Sequence, residues 1–155
     1  MTEAQTRGGE QLEPAARQVK RFARVREANQ SELAEDYVEM IDDLIAARGE
    51  ARSADLAERF GVTPATVARA VQRLVRDGLA KSEPYRSIFL TEKGRALATY
   101  ARERHRLVRD FLLAIGVGQD AAEQDAEGLE HHVSSETLEA FRQFVQHGLA
   151  RVDNK

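Results

Sequence analysis

Apolar residues in this chain recur every three or four positions nearly from end to end, the repeat of amphipathic helices. From Leu12 to about Asn29 the repeat is Leu12, Ala15, Ala16, Val19, Phe22, Ala23 and Val25. A second stripe, Leu33, Tyr37, Met40, Ile41, Leu44 and Ile45, predicts a helix over 31–48, with Ser31 as its cap and Gly49 as its stop. Residues 53–77 predict two short helices around Gly61: Leu56, Ala57 and Phe60 face inward from the first, and Val67, Val71 and Leu74 from the second. Thr63 is placed to cap the second helix, with Pro64 at its first position, where a missing N–H costs nothing. This spacing is that of a helix-turn-helix. The helical repeat then stops. Residues 79–82 and 87–90 predict two short strands around a turn at 83–86, a wing following the helix-turn-helix. Helical spacing resumes over 91–115 and breaks at Gly116 and Gly118. It returns in a helix from Asp120 and a last one capped by Ser134 or Ser135. The fold class is mainly α with a small β-hairpin wing: an N-terminal winged helix-turn-helix followed by an all-α dimerisation domain. The predicted parts are a disordered tail at 1–10, a basic helical extension at 11–30 and the winged helix at 31–95. A helical unit at 96–147 and a frayed end at 148–155 follow. The last two helices are too short to bury their apolar faces alone, which predicts pairing with a second copy.

Charge divides the chain more sharply than its net value of −3 suggests. Residues 31–47 hold six acids and no Lys or Arg; residues 110–140 hold eight acids and again no Lys or Arg. Between them, residues 52–109 carry thirteen basic residues against six acids. A basic middle suits a polyanion and acidic flanks suit a cation, although charged blocks are also common as solvated faces. The absence of cysteine removes thiolate metal sites, disulfides and a cysteine nucleophile. No apolar run is long enough for a membrane span, and the first 30 residues lack the apolar core of a signal peptide, so the expected location is cytoplasmic.

The stretch QDAEGLEHH, residues 124–132, carries the most chemistry. On a helix Glu127, Glu130 and His131, at i, i+3 and i+4, would share one face. Two carboxylates and an imidazole suit a divalent cation of intermediate hardness. An exposed acidic helix that happens to carry histidines shows the same pattern. Asp36 and Glu39, one helical turn apart, and a lone His105 are individually unremarkable. On the predicted second helix of the helix-turn-helix, Thr63, Thr66, Arg69 and Arg73 lie on the outer side and are the candidates for base edges. Arg52, Arg86 and the basic leader are candidates for phosphate contact.

Four motifs in order, DYVE at 36–39, the winged helix, ERHRLVRDFL at 103–112 and DAEGLEHHVS at 125–134, resemble the diphtheria-toxin-repressor family of metal-dependent regulators, and its manganese branch most closely. The resemblance implies a metal site of Asp36, Glu39, His105, Glu127, Glu130 and His131 between the DNA-binding and dimerisation domains. It implies Mn²⁺ as cofactor, with Fe²⁺ as the alternative. It also implies a homodimer that binds double-stranded operator DNA and represses manganese uptake genes. The iron branch carries methionine and cysteine where Asp36 and Glu127 stand, and all-oxygen-and-nitrogen ligation fits manganese. Arg109 occupies the position of an acid that the iron branch uses in a second site, so that site is not expected here. An iron- or zinc-responsive repressor of the same family is the nearest alternative. A di-iron carboxylate enzyme is disfavoured because no Glu is followed by His three residues on.

Overall fold

The computed structural model describes residues 12–83 and 86–148. In order they form α1 (Ala15–Arg48), α2 (Ser53–Phe60), α3 (Pro64–Arg76), β1 (Ala80–Lys81), β2 (Phe89–Leu90), α4 (Glu92–Ala114), α5 (Gln119–Leu129) and α6 (Ser135–His147). The predicted tail, the frayed end beyond Gly148, and Pro84 and Tyr85 of the wing turn lie outside the described residues.

The first difference from expectation is α1. It is one helix of 34 residues, not an extension followed by a separately capped helix. Ser31 lies in its interior and caps nothing. Nothing in the local sequence breaks the helix there: Ala28, Asn29, Gln30 and Ser31 include neither Gly nor Pro. The helix ends where Gly49 adopts φ 81°, a left-handed conformation that glycine takes without strain.

Two apolar clusters hold the chain. The first joins α1 to the helix-turn-helix and wing through Val38, Ile41, Leu56, Val67 and Ile88, all fully buried, and Tyr37 stacks on Phe60 at 4.5 Å between ring centres. The second joins the far half of α4 to α5 and α6 through Val108, Leu112, Ala122, Ala126 and Leu138. Phe111 stacks on Phe141 at 3.8 Å and meets Phe144 edge-on. The single helix α4 thus takes part in both clusters, with Ala98 in the first and Val108 in the second.

α3 starts as its sequence predicts: the Thr63 hydroxyl accepts from the Thr66 amide at 3.2 Å and Pro64 follows. The wing is shorter than expected, pairing Ala80 with Leu90 and Lys81 with Phe89. Ile88 extends it sideways by donating its amide to Ala51 O at 2.8 Å. Thr91 caps α4, and its hydroxyl also donates to Gly78 O at 2.7 Å. Gly94 allows this junction to close, since a Cβ there would lie 2.0 Å from the Leu79 carbonyl oxygen.

Candidate metal centre

A cleft of about 470 Å³ opens where α1, α4 and α5 meet. Asp36 and Glu39 of α1 line it from one side, His105 of α4 from another, and Glu127 and Glu130 from α5 and its C-cap. The local folding explains the convergence. Tyr37, Val38 and Ile41 bury one side of α1 in the first cluster, which turns Asp36 and Glu39 to its edge. Val108 and Leu112 anchor α4 in the second cluster and leave His105 between the two. Ala122 and Ala126 are small enough to bring α5 against α4.

Donor atoms of His105, Glu127 and Glu130 lie within 4.8 Å of one another. His105 Nδ1 is 3.5 Å from Glu130 Oε1 and 3.8 Å from Glu127 Oε1. Its other nitrogen, Nε2, is 3.1 Å from Glu123 Oε1, an acid the sequence did not single out.

His131 departs from the expected geometry. α5 ends at Leu129, Glu130 is its C-cap and His131 lies in the following turn, so the three residues do not share one continuous helical face. The His131 side chain is 3% exposed and sits behind the cleft, not on its lining. Its Nε2 approaches Glu130 Oε1 at 3.4 Å, and its Nδ1 lies 2.9 Å from Glu35 Oε2. Glu130 is therefore flanked by both imidazoles.

Glu35 and Arg104 complete a buried network that sequence reasoning missed. Glu35 is 5% exposed and accepts two hydrogen bonds from the Arg104 guanidinium, whose carbon lies 5.4 Å from the Tyr100 ring centre. Burial alone would raise the Glu35 carboxyl, but the hydrogen bonds from His131 and Arg104 outweigh it and hold Glu35 below the usual range. No sequence signal marks the pair, although the places of its members in the chain fit the outcome. Glu35 directly precedes Asp36 in the acidic block, and Arg104 directly precedes His105. Adjacent helical residues point about 100° apart, so these two face away from the cleft and toward each other.

The cleft lining sets five acids, Asp36, Glu39, Asp43, Glu127 and Glu130, beside Arg102, Arg106 and Arg109. Burial first, then the charges of Glu130, Asp36 and Glu127, push Glu39 up to about 7 against an opposing Arg102. Burial also raises Asp36 and Glu130 despite the lowering influence of His131 on both. Burial would lower His105, but its Glu123 hydrogen bond and the charges of Glu130 and Glu127 raise it. Glu130 Oε2 is buried without a hydrogen-bond partner; the nearest cation, Arg104 Nε, is 3.8 Å away. Glu130 Oε1 faces both imidazoles, and this set of carboxylate oxygens and imidazole nitrogen suits a divalent cation with hard oxygen and borderline nitrogen ligands.

The candidates for DNA contact are spread over α3 and its cap, the start of α2 and the wing turn. Thr63, Arg69 and Arg73 are exposed along α3, while Thr66 is half-buried and engaged with Thr63. Arg73 donates to Gln30 Oε1 of α1 at 3.1 Å. Arg52 pairs with Glu50, and Arg86 beside the wing turn pairs with Glu83 at 2.9 Å.

Two family descriptions match the chain. Residues 30–88 match the iron dependent repressor N-terminal DNA binding domain, and residues 91–149 match the iron dependent repressor metal binding and dimerisation domain. A relative in Escherichia coli O6:H1, described as transcriptional regulator MntR, is 52% identical over 139 residues, covering 89% of this chain and 90% of that one. The chain belongs to the iron-dependent repressor family. Members of this family are transcriptional regulators and not enzymes. The HTH-type transcriptional regulator MntR of Bacillus subtilis strain 168 is 39% identical over 73% of this chain and 80% of its own length. Among solved structures, the manganese regulator SloR matches with a TM-score of 0.63 at 29% identity over 74% of this chain. A manganese-dependent transcriptional repressor in complex with manganese matches with a TM-score of 0.62 at 30% identity over 73%. This chain spans about half the length of those two solved chains, 54% and 52%. Like other iron-dependent repressors it carries a DNA-binding domain and a metal-binding and dimerisation domain. No described helix is long and apolar enough to cross a membrane.

Proposed function

We propose that this chain is a cytoplasmic, manganese-dependent repressor whose dimer binds operator DNA and shuts off manganese uptake genes. Its working units are a winged helix at 31–95 and a metal-binding and dimerisation unit at 96–147. The observation that supports the reading is the convergence of His105, Glu127 and Glu130 donor atoms in a cleft that Asp36 and Glu39 of α1 also line. The relatives named for manganese supply the choice of ion.

Asp36, Glu39, His105, Glu127, Glu130 and His131 would hold the ion. A bound divalent cation would offset the mutual repulsion of these carboxylates and accept their oxygens directly. Each ligand sits on an element with a second role. Asp36 and Glu39 share α1 with the core of the winged helix, whereas Glu127 and Glu130 belong to the dimerisation unit. Drawing the carboxylates together therefore fixes the reading heads relative to the dimer. Fixed heads lose less conformational freedom on DNA, so metal and operator tighten each other's binding by the same factor. Thr63, Thr66, Arg69 and Arg73 present the outer side of α3 to the major groove, and Arg52 and Arg86 present charge to phosphates. The six proposed ligands offer only oxygen and nitrogen, which favours Mn²⁺ over Fe²⁺.

Titration of the purified chain onto its own gene's upstream region, across Mn²⁺, Fe²⁺ and Zn²⁺ at matched free concentrations and with chelator, tests this directly. Manganese-dependent binding is expected. Equal activation by iron at its cellular level overturns the manganese assignment. Metal-independent binding overturns the mechanism.

A further inference from the structure

Neither imidazole in the cleft is free at both nitrogens, and the partner on the far side of His131 differs from that of His105. Glu123, beside His105, is half-exposed and shared with Arg109 at 3.9 Å. Glu35, beside His131, is buried and lies on α1, ninety-six residues away in sequence. It is also fixed from behind by two guanidinium hydrogen bonds.

We propose that Glu35 is a positioning residue for the metal centre: held by Arg104, it accepts the Nδ1–H of His131 and so turns the Nε2 lone pair toward Glu130 and the ion. The proposal rests on His131 being a ligand. Both Glu35 Oε2 and Arg104 Nη2 lie within hydrogen-bond distance of His131 Nδ1, at 2.9 and 3.1 Å. One nitrogen cannot donate to the first and accept from the second. Arg104 already donates to Glu35, and an ionised carboxylate can only accept, so the shared proton belongs on Nδ1. The opposite tautomer would put a proton on Nε2, the atom facing Glu130 Oε1 at 3.4 Å, and block ligation there. The contact also joins the turn after α5 to α1 without using any atom that would hold the ion. A carboxylate behind a metal-binding histidine fixes ring orientation and raises ligand basicity, and losing such a partner typically costs about 10- to 100-fold in affinity.

Manganese affinity of the full chain, measured by competition with a metal indicator, tests this together with the ¹⁵N shifts of the His131 ring in the metal-free protein. Glu35→Ala is expected to weaken manganese binding by about 10- to 100-fold and to move the neutral His131 ring from the Nδ1–H to the Nε2–H form. Glu35→Gln keeps one acceptor oxygen and the side-chain shape, so it serves if the alanine variant does not fold. It is expected to recover part of the affinity and the Nδ1–H form. In a His131→Gln background, Glu35→Ala should cost nothing further. If His131→Gln weakens binding but both Glu35 variants leave affinity and tautomer unchanged, the positioning role is overturned and the ligand reading stands. If His131→Gln itself leaves affinity unchanged, both fall.

Discussion

Replacing Glu39 by Gln should make the metal-free protein more stable at pH 8. Glu39 is half-buried among Glu130, Asp36 and Glu127, and its carboxyl is pushed from 4.5 to about 7. The folded state therefore holds the Glu39 proton at pH values where the unfolded chain has released it. The stability this contributes is fully present below pH 4.5, falls as pH rises from 4.5 to about 7, and is gone above that. A shift of that size corresponds to about 3 kcal/mol at 1.36 kcal/mol per unit, and solvent screening of a half-buried group reduces it to about 1–2 kcal/mol. Glu39→Gln keeps the shape and never ionises. In chelator at pH 8 it should melt roughly 2–8 °C above the unsubstituted chain, with the difference vanishing near pH 4.5. In saturating manganese the order should reverse, because the unsubstituted chain gains the linkage energy of a tighter ion. Circular-dichroism melts at several pH values, with chelator and with manganese, test both halves. A variant that is equally or less stable in chelator at pH 8 refutes the charge-repulsion account of the cleft. A variant that gains as much from manganese as the unsubstituted chain removes Glu39 from the site.

Manganese affinity should fall as pH drops from 8 to 6, because Glu39, His105 and His131 all hold protons more tightly than usual and must release them to bind. Calorimetry in buffers of different ionisation enthalpy should record that proton release, and a pH-independent affinity would contradict it. Gly94→Ala should destabilise the fold by about 1–3 kcal/mol or more in urea unfolding, since the new methyl meets the Leu79 carbonyl and the helix–wing junction must shift; a loss below about 0.5 kcal/mol would mean that the junction gives way easily. Arg73→Ala should weaken operator binding. If Arg73 reads a base, the loss is about 1–3 kcal/mol at one operator position; if it meets phosphate, the loss is uniform and the salt slope falls by about one.

Much of the fold was legible because it rests on local chemistry. The Thr63-Pro64 start of α3, the Thr91 start of α4, the Gly49 and Gly61 stops and the apolar stripes of α2 and α3 each follow from one or two side chains acting within a turn of backbone. The misplaced start of α1 shows where such signals fail. Ser31 has the chemistry of a cap, but a cap matters only where a helix begins, and no residue before it interrupts the helix. The ligand candidates were legible as types and spacings, whereas their relations were not. Nothing in QDAEGLEHH says that the helix stops at Leu129 and directs His131 back to α1. The Glu35–Arg104 pair was invisible for the same reason: its significance lies in a contact across sixty-nine residues. A buried ion pair of this kind leaves no periodic trace, because each partner alone looks like one more charge on a charged helix.

The unbroken course of α1 has a mechanical consequence. At 1.5 Å per residue, its tip at Ala15 stands roughly 33 Å from the midpoint of Asp36 and Glu39. A tilt of about 5° about that point would sweep the tip by about 3 Å over that length. The helix is thus a pointer with its pivot at the proposed ion and its free end far from it. A spin label or fluorophore placed near residue 15 in each half of the dimer would register sub-ångström adjustments at the carboxylates as separations large enough to measure in solution.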